Sequence, residues 1–244
     1  MTFAGFPRET LAFLRDLRAN NTKVWFDAHR EAYERAYVQP ARAFVVAAGE
    51  AIREFAPEIV AEPRIPGSIF RINRDIRFSK DKTPYKDNLD FWFWEGPRKG
   101  AVSGLFMRLT PEFVGIGAGC HGFDRGGLEA YRNALADQNS GSEFVEMVQT
   151  IEAAGYEFRG SQFRRDPPGY TVREQALPFL RFGALFVHVD DSVDERVYDG
   201  RILETCVQHW RLLAPLHRWL TRHVQGPNGR PPVGPGGRPG KSAA

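Results

Sequence analysis

The side chains best placed to do chemistry lie in one run, Phe70-Arg71-Ile72-Asn73-Arg74-Asp75-Ile76-Arg77-Phe78-Ser79-Lys80-Asp81-Lys82-Thr83-Pro84-Tyr85-Lys86. In a strand, residues two apart share a face at a spacing of roughly 7 Å. The alternation therefore predicts a half-buried strand over Phe70 to Phe78. Arg71, Asn73, Asp75 and Arg77 form its polar row, and Phe70, Ile72, Ile76 and Phe78 its core face. Arg74 falls on the core side and fits as a buried or edge ion-pair partner. Arginine offers a planar fork of donors suited to carboxylate or phosphate, and asparagine adds a neutral donor and acceptor. Asp75, between two arginines, should have a lowered pKa and so suits an orienting carboxylate better than a general acid.

From this run the expected ligand-binding residues are Arg71, Asn73, Arg77, Lys82 and Lys86, with Thr83 and Tyr85 closing over a bound anion. The expected catalytic residues are His29, Asp75 and Tyr85, with His29 or Tyr85 handling protons. The ligand would be small and phosphorylated or carboxylated. If there is turnover, hydrolysis or group transfer fits better than redox chemistry, because no cofactor motif is visible. The alternative is a non-catalytic interaction module. The charged row would then be a structural ion-pair network, and the surfaces around Trp92 and Trp94 would contact a partner or a second copy. The sequence does not decide whether the protein is an enzyme, and it does not set an oligomeric state.

Other candidates are weaker. Trp25, His29, Tyr33 and Tyr37 recur at helical spacing, which reads first as packing. Gly117-Ala118-Gly119-Cys120-His121-Gly122 matches the bare G-x-G-x-x-G pattern, but Phe123 to Gly127 separates it from any helix and no βαβ unit surrounds it. Gly115, Gly117 and Gly119 read better as a bare strand face that lets another element or a ligand approach. Cys120-His121, and His188 with Asp190-Asp191, lack metal-ligand spacing. His209 and His217 are expected to cap or solvate the surface of the last helix. No G-x-S-x-G, P-loop or H-E-x-x-H occurs, and neither a cofactor nor a metal is expected.

Composition narrows the class. The 244 residues suffice for a full core without staples, and two cysteines cannot make a disulfide framework. The formal charge of +3 is matched by Arg230, Arg238 and Lys241 in the tail, which leaves the rest near neutral. A neutral body argues against nucleic-acid binding, which rests on many phosphate contacts. Positive charge is local, since the Arg71 to Lys86 window holds six basic residues and two acidic ones. No signal-peptide pattern and no apolar run of roughly 20 residues is present, so a soluble, cytoplasmic protein without a membrane partner is expected.

The elements that must hold this run read as helices, then strands, then helices. A first helix is signalled by Thr10 as its start or cap, with Leu11, Leu14 and Leu17 as its stripe and a stop at Asn20-Asn21. A second should cover Lys23 to Tyr37, and a third should begin near Pro40 and stop before Pro57. After the Phe70 to Phe78 strand, Leu89 to Trp94, Gly104 to Leu109 and Phe113 to Cys120 suggest an antiparallel meander. Helices follow over Leu128 to Asp137 and Glu143 to Ala154, with a strand at Leu185 to Val189. A last helix from Asp194 to Val224 should be kinked or divided at Pro215. The expected class is α+β, a mainly antiparallel sheet with the N-terminal helices and the long C-terminal helix packed on it. One domain is expected over 1–224, with a disordered Pro/Gly-rich tail over 225–244.

Two blocks also carry a resemblance. Gly5-Phe6, Glu9-Thr10-Leu11, Phe13-Leu14, Leu17, Asn20-Asn21, Trp25-Phe26, His29-Arg30 and Tyr33-Glu34 make the first. Phe70 to Asp75, Arg77-Phe78-Ser79 and Asp81 to Lys86 make the second. Weaker echoes follow at Gly117 and Gly119, Leu128 and Arg132, Pro168-Gly169-Tyr170, and Leu180-Arg181. Across residues 3–224 the chain resembles domain-of-unknown-function family 2461, a set of hypothetical proteins, mainly bacterial with some fungal members. The resemblance implies a cytoplasmic single-domain protein and brings no catalytic residues with it.

Overall fold

The computed structural model describes residues 3–97 and 102–225. Among the described residues, seven α-helices and six strands follow the α+β pattern. They are α1 (Arg8–Ala19), α2 (Lys23–Ala28), α3 (Arg30–Tyr33), α4 (Gln39–Ile52), β1 (Ile59–Val60), β2 (Leu89–Glu95), β3 (Gly104–Leu109) and β4 (Phe113–Cys120), then α5 (Arg125–Ala136), α6 (Gln138–Ala153), β5 (Phe158–Arg159), β6 (Leu185–Ser192) and α7 (Arg201–Leu220). The strands hydrogen-bond in the order β1-β2-β3-β4-β6-β5 and form one antiparallel sheet. The meander β2-β3-β4 falls where alternation and turn residues placed it. The expected tail lies outside the described residues, Gln225 apart.

The described residues fall into two compact units, 3–94 with Leu105–Gly117 and Val189–Arg211, and 95–97 and 102–104 with Ala118–His188 and 212–225. In the first, alternation along β2 turns Leu89, Phe91 and Phe93 into the core. Phe44 of α4 packs on Phe91 with ring centroids 4.7 Å apart, and Trp210 of α7 meets Phe93 edge-on at 5.4 Å. The Trp210 indole N–H is satisfied by the Phe106 carbonyl at 3.2 Å. Leu11, Leu14 and Leu17 of α1 are all fully buried, as their spacing requires. Helix α1, however, starts at Arg8. Thr10 lies inside it and donates its hydroxyl to the Ala36 carbonyl at 2.5 Å, so it ties α1 to the π-helical turn Glu34–Val38 and is not a cap.

The expected second helix breaks at His29, whose backbone (φ −113°, ψ 23°) leaves helical geometry between α2 and α3. A π-helical turn over Glu34–Val38 then leads into α4. Phe13 reads the aromatic stripe from the other side, with ring centroids 5.8 Å from Trp25 and 6.0 Å from Tyr33. The stripe is packing, as helical spacing suggested.

In the second unit, Asp124 caps α5 through the Gly127 N–H and Asp137 caps α6 through the Asn139 and Ser140 N–H groups. Each such cap is worth about 1 kcal/mol. Their apolar faces close on Trp219, which lies 4.8 Å from Phe144 and 6.0 Å from Tyr131 between ring centroids. Gly119 has φ +132°, and a Cβ there would lie 2.4 Å from the Leu185 carbonyl oxygen. The glycine therefore admits the β6 backbone and not a nucleotide. Helix α5 begins at Arg125, sooner than expected, but it follows an antiparallel hairpin and not a βαβ strand.

Helix α7 starts at Arg201, because Asp194 instead caps a short 3₁₀ turn, Glu195–Val197. Pro215 does not divide it, and a π-turn over Thr221–Gln225 extends it. Contrary to expectation, His217 is fully buried. Its Nδ1 lies 3.1 Å from the Ser103 hydroxyl, and Nε2 lies 3.3 Å from a Glu95 carboxylate oxygen but off hydrogen-bond geometry. Gln225 completes the knot by accepting the Ser103 N–H and donating to the Glu95 carbonyl. Helical periodicity reports a buried face and cannot show that strand ends supply polar partners there. His217→Leu strips the buried Ser103 hydroxyl of its partner. It should cost about 1–3 kcal/mol, read as a lower urea midpoint.

Candidate functional site

The charged run folds as an arm and not as a regular strand. Residues 68–74 run antiparallel to 84–92 through two isolated bridges, Ile69 with Phe91 and Asn73 with Tyr85. Four backbone bonds hold it: Trp92 N–H to Ser68 O (2.9 Å), Phe70 N–H to Asp90 O (3.0 Å), Lys86 N–H to Ile72 O (2.7 Å) and Arg74 N–H to Pro84 O (2.9 Å). Between the bridges one side has three residues, 70–72, and the other has five, 86–90. Asp87 and Asn88 are the surplus and bulge out. Asp87 is taken up by Arg18 at 2.5 Å, and the Asn88 carbonyl accepts the Tyr37 hydroxyl at 3.3 Å.

At the Asn73 bridge, the Tyr85 N–H and C=O point away from residue 73. Asn21 takes both: its amide donates to the Tyr85 carbonyl at 2.9 Å and accepts the Tyr85 N–H at 3.0 Å. One side chain thus stands in for a neighbouring strand. Tyr85 is buried and stacks on Phe26 of α2 at 4.3 Å.

Pairing stops at Arg74, and residues 75–83 form the tip. Here polar side chains bond the backbone and compete with a ladder. Asp75 accepts the Arg77 N–H at 3.2 Å as well as its guanidinium at 2.9 and 2.7 Å. Asp81 accepts the Thr83 N–H at 2.9 Å, and Lys82 Nζ donates to the Ile76 carbonyl at 2.9 Å. The expected strand therefore ends early. Its core face fails with it, since Phe70 is 37% exposed and Phe78 93%, while Ile72 stays buried. The polar row itself is correct in direction: Arg71, Asn73, Asp75 and Arg77 are all exposed. Arg74 is half-buried and bonds Asp81 and Thr83, the ion-pair role its position predicts.

The arm encloses a groove of about 450 Å³ lined by Phe70, Arg71, Asn73, Arg74, Asp75, Arg77 and Lys86. The structure thus brings together Arg71, Asn73, Asp75, Arg77 and Lys86. It does not bring His29, Tyr85 or Lys82 into the lining. His29 is exposed at the α2–α3 break, stacked on Trp25 at 3.9 Å, with Nδ1 2.7 Å from the Trp25 carbonyl. Most cations of the groove are already engaged. Arg77 is held by Asp75, Arg74 by Asp81, and Lys86 lies 3.7 Å from Asp90. Asp90 is buried and also takes Arg108 at 2.7 and 3.3 Å. Among the described residues, the side chains of Arg71 and Asn73 hydrogen-bond no protein group, although the Arg71 charge reaches Asp75.

Sequence reasoning missed Asn21, Asp90 and Arg108. Asn21 looked like a helix stop, and an aspartate in a strand that otherwise reads Leu-Phe-Trp-Phe-Trp was the signal for a buried ion pair. Trp94 is buried and Trp92 half-buried, stacked on Phe106 at 6.0 Å, so they form no open aromatic surface. Both thiols are buried: burial pushes Cys120 up to about 11 and Cys206 higher still, so neither is a nucleophile at neutral pH. Among the described residues no three His, Cys, Asp or Glu side chains could hold a metal ion, and no helix is long and apolar enough to cross a membrane. A larger groove of about 1090 Å³ in the second unit is lined by Val148, Tyr156, Phe158, Phe179 and Phe182, among others. Its Arg181 is held by Asp166 at 2.7 and 3.1 Å, so size there comes without a free charged donor.

The aspartates of the arm are held ionised. The Arg77 guanidinium and N–H lower the Asp75 pKa. The Thr83 N–H, then Arg74, bring Asp81 down to about 2. A depressed carboxylate stabilises the fold above its unfolded pKa of about 3.9 and loses that contribution as pH falls through the folded value. The tip clamp should therefore survive pH 4 and open only towards pH 2. An NMR titration of the Asp81 carboxyl should show its midpoint near the lower value, and Arg74→Gln should move that midpoint up.

The conserved hypothetical protein family DUF2461 matches residues 9–219, a span that contains α1 to α7 almost entire and the whole of the arm. No curated protein matches the chain. With a match that covers most of its length, this chain belongs to the DUF2461 family of conserved hypothetical proteins.

Proposed function

We propose that this protein binds a small phosphorylated or carboxylated ligand in the groove of the arm. The observation that carries the reading is the contrast within one lining: three cations are engaged by aspartates, while Arg71 and the adjacent Asn73 amide are not. An arginine fork and an amide two residues apart, on a backbone fixed by the Asn73–Tyr85 bridge, supply donors suited to an anion. The paired cations set the local potential, and Asp75 orients.

Binding is better supported than turnover. Neither His29 nor Tyr85 lines the groove, and an ionised Asp75 cannot act as a general acid. Any acid step of hydrolase or transferase chemistry would need a proton from the ligand or from water. The interaction-module reading keeps one specific observation in its favour, the engagement of Arg74, Arg77 and Lys86 in ion pairs. We read these as the scaffold that presents Arg71. Both thiols are buried and form no disulfide, which fits a reducing compartment and supports a cytoplasmic location.

Thermal unfolding tests the reading. Inorganic phosphate, pyrophosphate or citrate should raise Tm over a chloride control of equal ionic strength; at 100 times Kd the stabilisation is about 2.7 kcal/mol. Arg71→Ala with Asn73→Ala should abolish that shift and leave the unliganded Tm within about 2 °C, since surface changes cost within roughly 0.5 kcal/mol. A large Tm loss in that variant would instead make the row structural.

A further inference from the structure

The sheet ends on β5, and pairing on its inner side continues past Arg159 to the Gln162–Phe182 bridge. The Phe163 N–H donates to the Arg181 carbonyl at 2.8 Å, and the Gly183 N–H to the Ser161 carbonyl at 2.7 Å. Two bonds that flank a bridge in this way also surround Tyr85, so the Gln162 N–H and C=O point away from the sheet. At Tyr85 an asparagine answers both groups, whereas at Gln162 no described residue answers either. The open edge from Phe158 to Phe163 is about 20 Å long.

An open edge is a template for another strand, and charged side chains ordinarily guard it. Here the charges differ in sign between the two ends, with Glu157 before Phe158 and Arg164-Arg165 after Phe163. All three side chains are exposed and form no ion pair among the described residues. The groove of about 1090 Å³ lies against this edge. Phe158 and Gln162, four apart and so on one face of the strand, both line it, as do Glu152 and Glu157. Its arginine, Arg181, is held by Asp166, so the two glutamates have no basic partner there.

We propose that a second copy of this chain covers the edge, its β5 segment running antiparallel to the first about a two-fold axis. A two-fold contact must be self-complementary, and this edge is. An axis at Ser161 sets the Glu157 end of each copy against the Arg164-Arg165 end of the other. Gln162 then exchanges main-chain bonds with Gly160 of the second copy. Arg164 of the second copy falls opposite Phe158 and on the same face, which directs it into the groove that the two glutamates line. A second copy is favoured over a foreign strand because one sequence supplies both the carboxylates and the cations that must meet.

Sedimentation equilibrium of the full chain tests this. In low salt the mass should approach twice the 27.6 kDa of the monomer, and added salt should promote dissociation by screening the ends. Glu157→Lys should give a monomer, and so should Arg164→Glu with Arg165→Glu, since each sets like charges together at both ends. A one-to-one mixture of these two variants should restore the dimer, because every end then meets its opposite. In the unmodified chain the Gln162 amide should exchange its hydrogen more slowly at high protein concentration than on dilution. A monomer in low salt overturns the proposal, as does a dimer that persists in both variants. A mixture that stays monomeric overturns the antiparallel pairing of these ends. A monomer whose Gln162 amide is protected has its edge covered by another segment of the chain, which overturns the second copy as occupant.

Discussion

Everything at the candidate site depends on how two backbone groups of Tyr85 are satisfied. A bridge with a single partner strand leaves the N–H and C=O of the paired residue facing outward, and a buried residue cannot leave both without partners. Asn21 answers both with one amide. That contact joins the end of α1 to the arm, seats Tyr85 against Phe26, and so fixes the segment that faces Asn73. Without it the arm would be a two-stranded ribbon with an irregular tip, an element of marginal stability by itself. The exposed polar groups of the arm inherit their positions from this buried contact.

The electrostatics follow the same logic. A chain near neutral overall still presents a basic window, and the fold neutralises that window selectively. Asp75 and Asp81 close onto Arg77 and Arg74 within the tip, while Asp90 holds Arg108 and Lys86 from the start of β2. The arm aspartates stay ionised throughout the physiological range, so this arrangement is not switched by ordinary changes of pH. What distinguishes Arg71 is its omission from the pairing and not its exposure, since exposed arginines are common.

Legibility in the sequence tracked how local the determining forces were. Strands β2, β3 and β4 were readable to within a residue because alternation and intervening turn residues agree with the final packing. Helix α1 was readable from Leu11, Leu14 and Leu17. The Phe70 to Phe78 strand was not, although its alternation is as regular. There the Asp75 and Asp81 side chains bond nearby backbone N–H groups, and Pro84 has no N–H to give to a ladder. Hydrophobic pattern alone does not register that competition. His217 failed for the opposite reason, since its partners Ser103 and Glu95 lie more than a hundred positions away in the chain. In the site, exposure of the polar row was legible, but which cation stays unpaired was not, because that depends on which aspartate the turn geometry brings round.

The bulge at Asp87 and Asn88 has a consequence for how the arm can vary in length. Side chains alternate with a period of two, and the surplus between the bridges is also two. Tyr85, Leu89 and Phe91 therefore keep the same parity and all point inward. A single insertion or deletion here would reverse every side chain on one side of it, turning Tyr85 out or Phe91 out. A change by a pair would only lengthen or remove the loop that Arg18 and Tyr37 hold. The arm is tolerant of even steps and intolerant of odd ones. Homologous chains that differ in length at this point should differ by two.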